Sequence, residues 1–227
     1  HSISSGHGSE DTITDMIRCA SESGLSLFGI SDHGPATSSS AKPSYFQSLK
    51  LADRDRFGIR VLYGAELNII NTAGDVDLDD EILSALDYAI ISIHPPIFKP
   101  YHDKDLSSAY IRAMDHPKVR FLGHIDDARF PVDFEYLLEI AKEKHVYPEI
   151  NNGSLMPDAY RINGQENCRR ILSICKKLDL PVLLSSDSHG KKNIGNMQYI
   201  FPLLEELDFP AHLVLNSDLS VLSEIIR

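Results

Sequence analysis

The chain has 227 residues, enough to bury a full core and within the usual span of one α/β domain. Its formal net charge of −11 argues against a free-standing nucleic-acid binder with a basic face, though not against an anionic substrate, and no apolar run approaches the ~20 residues that cross a bilayer. Cys19, Cys168 and Cys175 form no Cys-x-x-Cys pair and no disulfide framework, so reduced thiols and a cytoplasmic setting are expected.

A polar Gly/Ser loop over residues 1–9 holds His1 and His7. Ser9 or Asp11 is expected to cap a helix with an apolar stripe of Ile13, Met16, Ile17 and Ala20, ended by Gly24. A strand over 24–31 then runs into Asp32-His33-Gly34. The Ser/Ala/Pro-rich loop 34–44 is long enough to cover or select a substrate. Helical spacing is read from Tyr45 to Arg56, and a strand over 59–64 leads to Glu66. The acidic run Asp75, Asp77, Asp79, Asp80 and Glu81 lacks the spacing of a calcium loop and reads as a solvated turn and helix start.

Residues 86–93 form a strand that delivers His94 and a Pro95-Pro96 turn, followed by a helix over 106–114. A strand over 119–123 delivers His124, and a loop with Asp126, Asp127 and Arg129 leads to a helix over 132–144. The strand 145–152 exits with Glu149, Asn151 and Asn152, and the helix 164–177 turns Cys168, Ile171, Leu172 and Cys175 to the core. Val182, Leu183 and Leu184 form a buried strand that exits with Asp187 and His189. A helix over 195–206, a short strand over 213–216 and a terminal helix from Ser217 complete the chain. Strands alternating with helices predict a parallel sheet, and about seven such units predict closure or near closure into a barrel, in one domain over 1–227.

One His at a strand end is more often structural than a ligand. Five strand ends carrying only His, Asp or Glu are hard to assign to chance, and they point to a metal site at the carboxyl end of the barrel. His1-x5-His7, Ser31-Asp-His33-Gly, Gly-Ala-Glu66, Ser-Ile-His94-Pro, Gly-His124 and Ser-Asp187-Ser-His189 together resemble the PHP (polymerase and histidinol phosphatase) superfamily, through nearly all of the chain.

That resemblance implies a distorted seven-stranded β/α barrel of TIM-like form and two or three divalent ions, zinc foremost, with manganese or iron as alternatives. It implies one metal site of His1, Glu66 and Asp187, a second of Glu66, His94 and His124, and a third of His7, His33 and His189, with Glu66 as bridge. The family opens with a strand ending in Asp-x-His-x-His, of which only the last His is present, as His1; an upstream strand and one ligand are therefore expected to be missing ahead of His1, where the chain starts without Met.

The reaction implied is hydrolysis of a small phosphorylated metabolite by a metal-activated water, with Glu66 and Asp187 holding the ions. Asp187 is the candidate proton acceptor, and His189, His33 or a second water the candidate acid. Lys104, Arg129 and Arg161 are candidate phosphate-binding cations, His102 matches a family stretch that meets substrate, and Asp32 stands as either a partner that orients an imidazole or a capping aspartate. His116, His145 and His212 are expected to have no catalytic role. A non-catalytic metal-binding module, a nuclease and an amidohydrolase-like barrel are the competing readings; oligomeric state is not encoded in any pattern.

Overall fold

The computed structural model describes residues 1–95, 97–98 and 104–226. Among these the strands are β1 (Leu27–His33), β2 (Asp55–Arg56), β3 (Ile59–Asn68), β4 (Tyr88–Ser92), β5 (Val119–Leu122), β6 (Tyr147–Asn151) and β7 (Leu183–Ser185). The helices are α1 (Ile13–Glu22), α2 (Pro43–Ser48), α3 (Asp80–Leu83), α4 (Ser107–Ala113), α5 (Phe134–Glu143), α6 (Gly164–Leu178), α7 (Ile200–Glu206) and α8 (Leu219–Ile226).

Six strands run parallel in the order β1-β3-β4-β5-β6-β7, as the alternation of strands and helices predicts, and β2 pairs antiparallel with the start of β3. The sheet curls into a half-barrel. Side chains alternate across it, so Val61, Tyr63, Ala65 and Leu67 of β3 enter the large core shared with the helices, while Leu62 turns to the concave face. There Leu62 joins Tyr88, Ile90 and Phe121, and α8 lays Leu222 and Ile226 against them. A cavity of about 430 Å³ remains on this side, lined by Phe28 and Gly29 of β1 and by Leu183 and Leu184 of β7, the two ends of the sheet.

Four local expectations change. Thr12 rather than Ser9 or Asp11 caps α1: its side chain accepts from Asp15 N–H, and the Asp15 carboxylate accepts from Thr12 N–H, a reciprocal box that neither alternative can form. The helix expected from Tyr45 to Arg56 stops at Ser48 and tightens into a 3₁₀ turn, Leu49–Leu51. Arg54 ends it by donating to the carbonyls of Leu49 and Ala52 at 2.8 and 2.6 Å. Phe57 and Gly58, both with positive φ of 51° and 79°, then turn the chain into the β2–β3 hairpin. The helix expected over 195–206 begins only at Ile200. The short strand expected over 213–216 is two 3₁₀ turns with a single parallel bridge, Val182 to Val214.

Candidate metal centre

Parallel register builds the site. His33 lies opposite Glu66 in the β1–β3 ladder. Three other strands release a ligand-type side chain two residues past their ends: Ser92 to His94, Leu122 to His124, and Ser185 to Asp187. Glu66 lies four residues past Leu62 on the same face of β3, so its carboxylate tops the apolar column of the concave side.

That carboxylate is the hub. Oε2 lies 3.2 Å from His1 Nε2 and 3.0 Å from His33 Nδ1, and Oε1 lies 3.3 Å from His94 Nε2 and 3.0 Å from His124 Nε2. Asp187 Oδ1 approaches His1 Nε2 at 3.1 Å, and Oδ2 accepts from Asn151 Nδ2 at 3.0 Å and Arg161 Nη2 at 2.9 Å. The His189 ring lies 4.3 Å from that of His1, and the His7 ring stacks on His33 at 4.9 Å. The other seven expected ligands therefore gather around Glu66. Their grouping is less simple than expected, because the ligand atoms that fall within 4.8 Å of one another are those of His1, His33 and His189, and those of His33, Glu66 and His94.

The donor set fits a divalent cation. His33 Nδ1 is buried and 3.0 Å from Glu66, yet has no hydrogen-bond partner. His94 Nε2 and His124 Nε2 face one another at 3.3 Å over the same carboxylate oxygen. Imidazole nitrogens converging with carboxylates suit zinc, manganese or iron.

Electrostatics divides the imidazoles. Burial drives His33 down to about 4 and lowers His94 and His189 as well. Burial also opposes charge on His1 and His124, but hydrogen bonds and negative charge outweigh it, from Asp187 and Glu66 at His1 and from Glu66 at His124, so both are raised. Glu66 and Asp187 are held well below the usual carboxylate range: burial alone would raise them, and the surrounding imidazoles, with Arg161 at Asp187, reverse it.

The side chains behind the ring are equally ordered. Asp32 is buried and accepts from Ser2 N–H at 2.6 Å, Ser2 Oγ at 2.7 Å, Ser5 Oγ at 2.9 Å and the Tyr45 hydroxyl at 2.5 Å. Ser5 Oγ in turn lies 2.9 Å from His1 Nδ1. Asp32 thus anchors the loop that carries His1, rather than its neighbour His33. Glu149 Oε2 accepts the His124 backbone N–H at 2.8 Å, and Oε1 accepts Ser185 Oγ at 2.5 Å. The backbone there is left-handed, with φ of 28° at His124 and 47° at Asp187.

Sequence reasoning missed what Asn68 and Glu149 do. One signal was present: Glu66-x-Asn68 in β3 and Glu149-x-Asn151 in β6 repeat a carboxylate and an amide on one strand face. Asn68 Oδ1 meets His94 Nδ1 at 2.7 Å, while Asn151 both donates to Asp187 and accepts from Gly153 N–H. Arg161 reaches the cluster. Arg129 instead forks onto Asp127 and stacks over Tyr160 at 4.2 Å. Lys104 lines a separate groove with Asp133, Glu166 and Arg170, and His102 and Pro96 lie outside the described residues. His116 and His212 pair with Asp80 and Asp179, not with the cluster.

An α/β half-barrel with a carboxylate-centred ring of imidazoles at the carboxyl ends of its strands defines the class. The chain belongs to the PHP domain family, whose profile matches residues 1–153. A probable phosphatase of Clostridium acetobutylicum is 35% identical over 227 residues, covering 100% of this chain and 92% of its own length. Another, of Caldicellulosiruptor saccharolyticus, is also 35% identical, with 100% and 93% covered. Among solved structures, histidinol phosphate phosphatase of Lactococcus lactis, complexed with zinc, L-histidinol and phosphate, matches with a TM-score of 0.59 at 19% identity, covering 88% of this chain and 89% of that one. A chain of archaeal ribonuclease P with mature tRNA matches with a TM-score of 0.63 at 19% identity, covering 94% and 86%. Both share the fold. No helix among the described residues is long and apolar enough to cross a membrane.

Proposed function

We propose that this chain is a metal-dependent phosphoesterase that hydrolyses a small phosphomonoester at two or three divalent ions. The observation that carries the reading is Glu66 in contact with four imidazoles, three at strand carboxyl ends and His1 from the opening loop. The probable phosphatases at 35% identity support it, as does a structural neighbour that holds zinc and phosphate. His1, His7, His33, Glu66, His94, His124, Asp187 and His189 would hold the ions, with zinc the preferred metal. Bound there, divalent ions neutralise phosphate oxygens and lower the pKa of a coordinated water towards ~7.

The chain's own groups then divide the work. Asp187, fixed by Asn151 and Arg161, is the proton acceptor beside the attacking water. His189, whose side chain is 27% exposed against 6% for His33, is placed to meet the leaving group. Arg161 supplies a fixed positive charge that draws an anionic group to the ring.

A panel of phosphorylated metabolites, assayed on metal-reconstituted protein with Asp187→Asn as control, tests the reading. Turnover of at least one phosphomonoester is expected, with a loss on the order of 10²-fold or more in the variant. Equal turnover by both proteins would remove Asp187 from the mechanism, and faster hydrolysis of single-stranded DNA would favour a nuclease.

Metal binding has a pH signature of its own. Because His1 and His124 are raised, they hold their protons to higher pH than a free imidazole does, and a cation must displace them. Zinc added to metal-free protein is expected to release protons, and affinity to fall as pH is lowered. Calorimetry in two buffers of different ionisation enthalpy measures the release directly; heats that do not depend on the buffer would contradict it.

A further inference from the structure

Asp77 lies outside the metal cluster, between the Ile69–Val76 bridge and α3, in the acidic run that sequence spacing reads as a solvated turn. Its carboxylate is instead half-buried and fully engaged. Oδ1 accepts Asn68 N–H at 2.9 Å, and Oδ2 accepts Ala36 N–H at 2.9 Å and Asn68 Nδ2 at 2.6 Å. Gly34 permits the approach, since a Cβ there would stand 2.3 Å from Asp77 Oδ2.

The consequence runs through the Asn68 amide. A carboxylate that receives two backbone N–H groups acts as an acceptor, so the amide must turn its NH₂ towards Asp77. Thr37 cannot impose this, because its hydroxyl, 3.1 Å from Asn68 Nδ2, can donate or accept. Gly34 O favours the same orientation but is the longer contact at 3.4 Å. With NH₂ committed, Asn68 presents its carbonyl Oδ1 to His94 Nδ1 at 2.7 Å. A carbonyl only accepts, so Nδ1 carries the hydrogen and the neutral ring keeps its free lone pair on Nε2. Nε2 is the atom that faces Glu66 and His124.

We propose that Asp77 is a positioning residue which, through Asn68, fixes His94 in the tautomer that offers Nε2 to a divalent cation, and which ties the loop at Gly34–Thr37 to that ligand. The inference rests on His94 being a metal ligand, but its test reads the imidazole in the metal-free protein, so it can fail while phosphatase activity stands.

Nitrogen-15 NMR of the histidine rings, recorded on metal-free protein at mildly alkaline pH, reports which nitrogen is protonated. Wild type is expected to show His94 with hydrogen on Nδ1 only. Asp77→Asn keeps the shape but replaces the acceptor by an amide that can donate, so the ring should become a mixture or move its hydrogen to Nε2, and zinc affinity should fall about 10- to 100-fold. Combining Asp77→Asn with Asn68→Asp restores an acceptor beside Nδ1 and should return the wild-type spectrum, which a purely structural role would not achieve. If Asp77→Asn does not fold, Gly34→Ala, whose methyl displaces the carboxylate, should give the same mixture. An unchanged tautomer in whichever single variant folds, or a double variant whose ring stays mixed, overturns the proposal.

Discussion

Glu66→Gln is expected to lower kcat/KM for any phosphomonoester by at least about 10³-fold, roughly 4 kcal/mol of transition-state stabilisation. The substitution keeps the shape of the side chain but removes the negative charge that four imidazoles share. An amide also has a single acceptor oxygen, so one pair, His1 with His33 or His94 with His124, would face an NH₂ group that cannot bind a cation. Metal content per chain, measured by elemental analysis after reconstitution, should fall together with activity. Full metal content with wild-type turnover would show that the hub plays no part in holding ions.

Asp32→Ala tests the support behind the ring. It leaves Ser2 N–H and the hydroxyls of Ser2, Ser5 and Tyr45 without their shared acceptor in a buried setting. An orphaned buried donor costs about 1–3 kcal/mol, and hydroxyls can in part redirect, so a loss of about 3–5 kcal/mol in unfolding free energy is expected. Denaturant titration of the metal-free protein measures it, and a loss under about 1 kcal/mol would contradict the account. In protein that still folds, Ser5 Oγ is no longer held by Asp32 and orients His1 less firmly, and kcat/KM should drop about 10- to 100-fold. Tyr45→Phe removes only one of the four donors and serves as the milder comparison, at about 1 kcal/mol.

The strand ends were legible because parallel strands release their side chains in one direction, and each apolar run marks where its ligand emerges. His94, His124 and Asp187 follow that rule closely. Which ligand-type side chains lie together was not legible, since it depends on register between strands: His33 sits opposite Glu66 because Leu27 pairs with Arg60, and no local pattern records that offset. The break in the Tyr45–Arg56 helix depends on a guanidinium folding back onto the carbonyls of Leu49 and Ala52, a contact that helical periodicity does not contain. Asp77 reads as a surface acid because its partners come from Ala36 and Asn68, and only the folded chain brings Gly34 within reach. Asp32 was readable as a support for an imidazole, but its target is His1, from a different segment.

The left-handed turns at His124 and Asp187 change where the work of assembly falls. Such conformations cost an ordinary residue about 1–3 kcal/mol, and here Glu149 and Asn151 clamp them from the neighbouring strand. The clamps come from β6, which lies between β5 and β7, so one strand sets the aim of both ligand-type side chains. A substitution in β6 at Glu149 or Asn151 should therefore disturb His124 and Asp187 together, although the two lie on different strands.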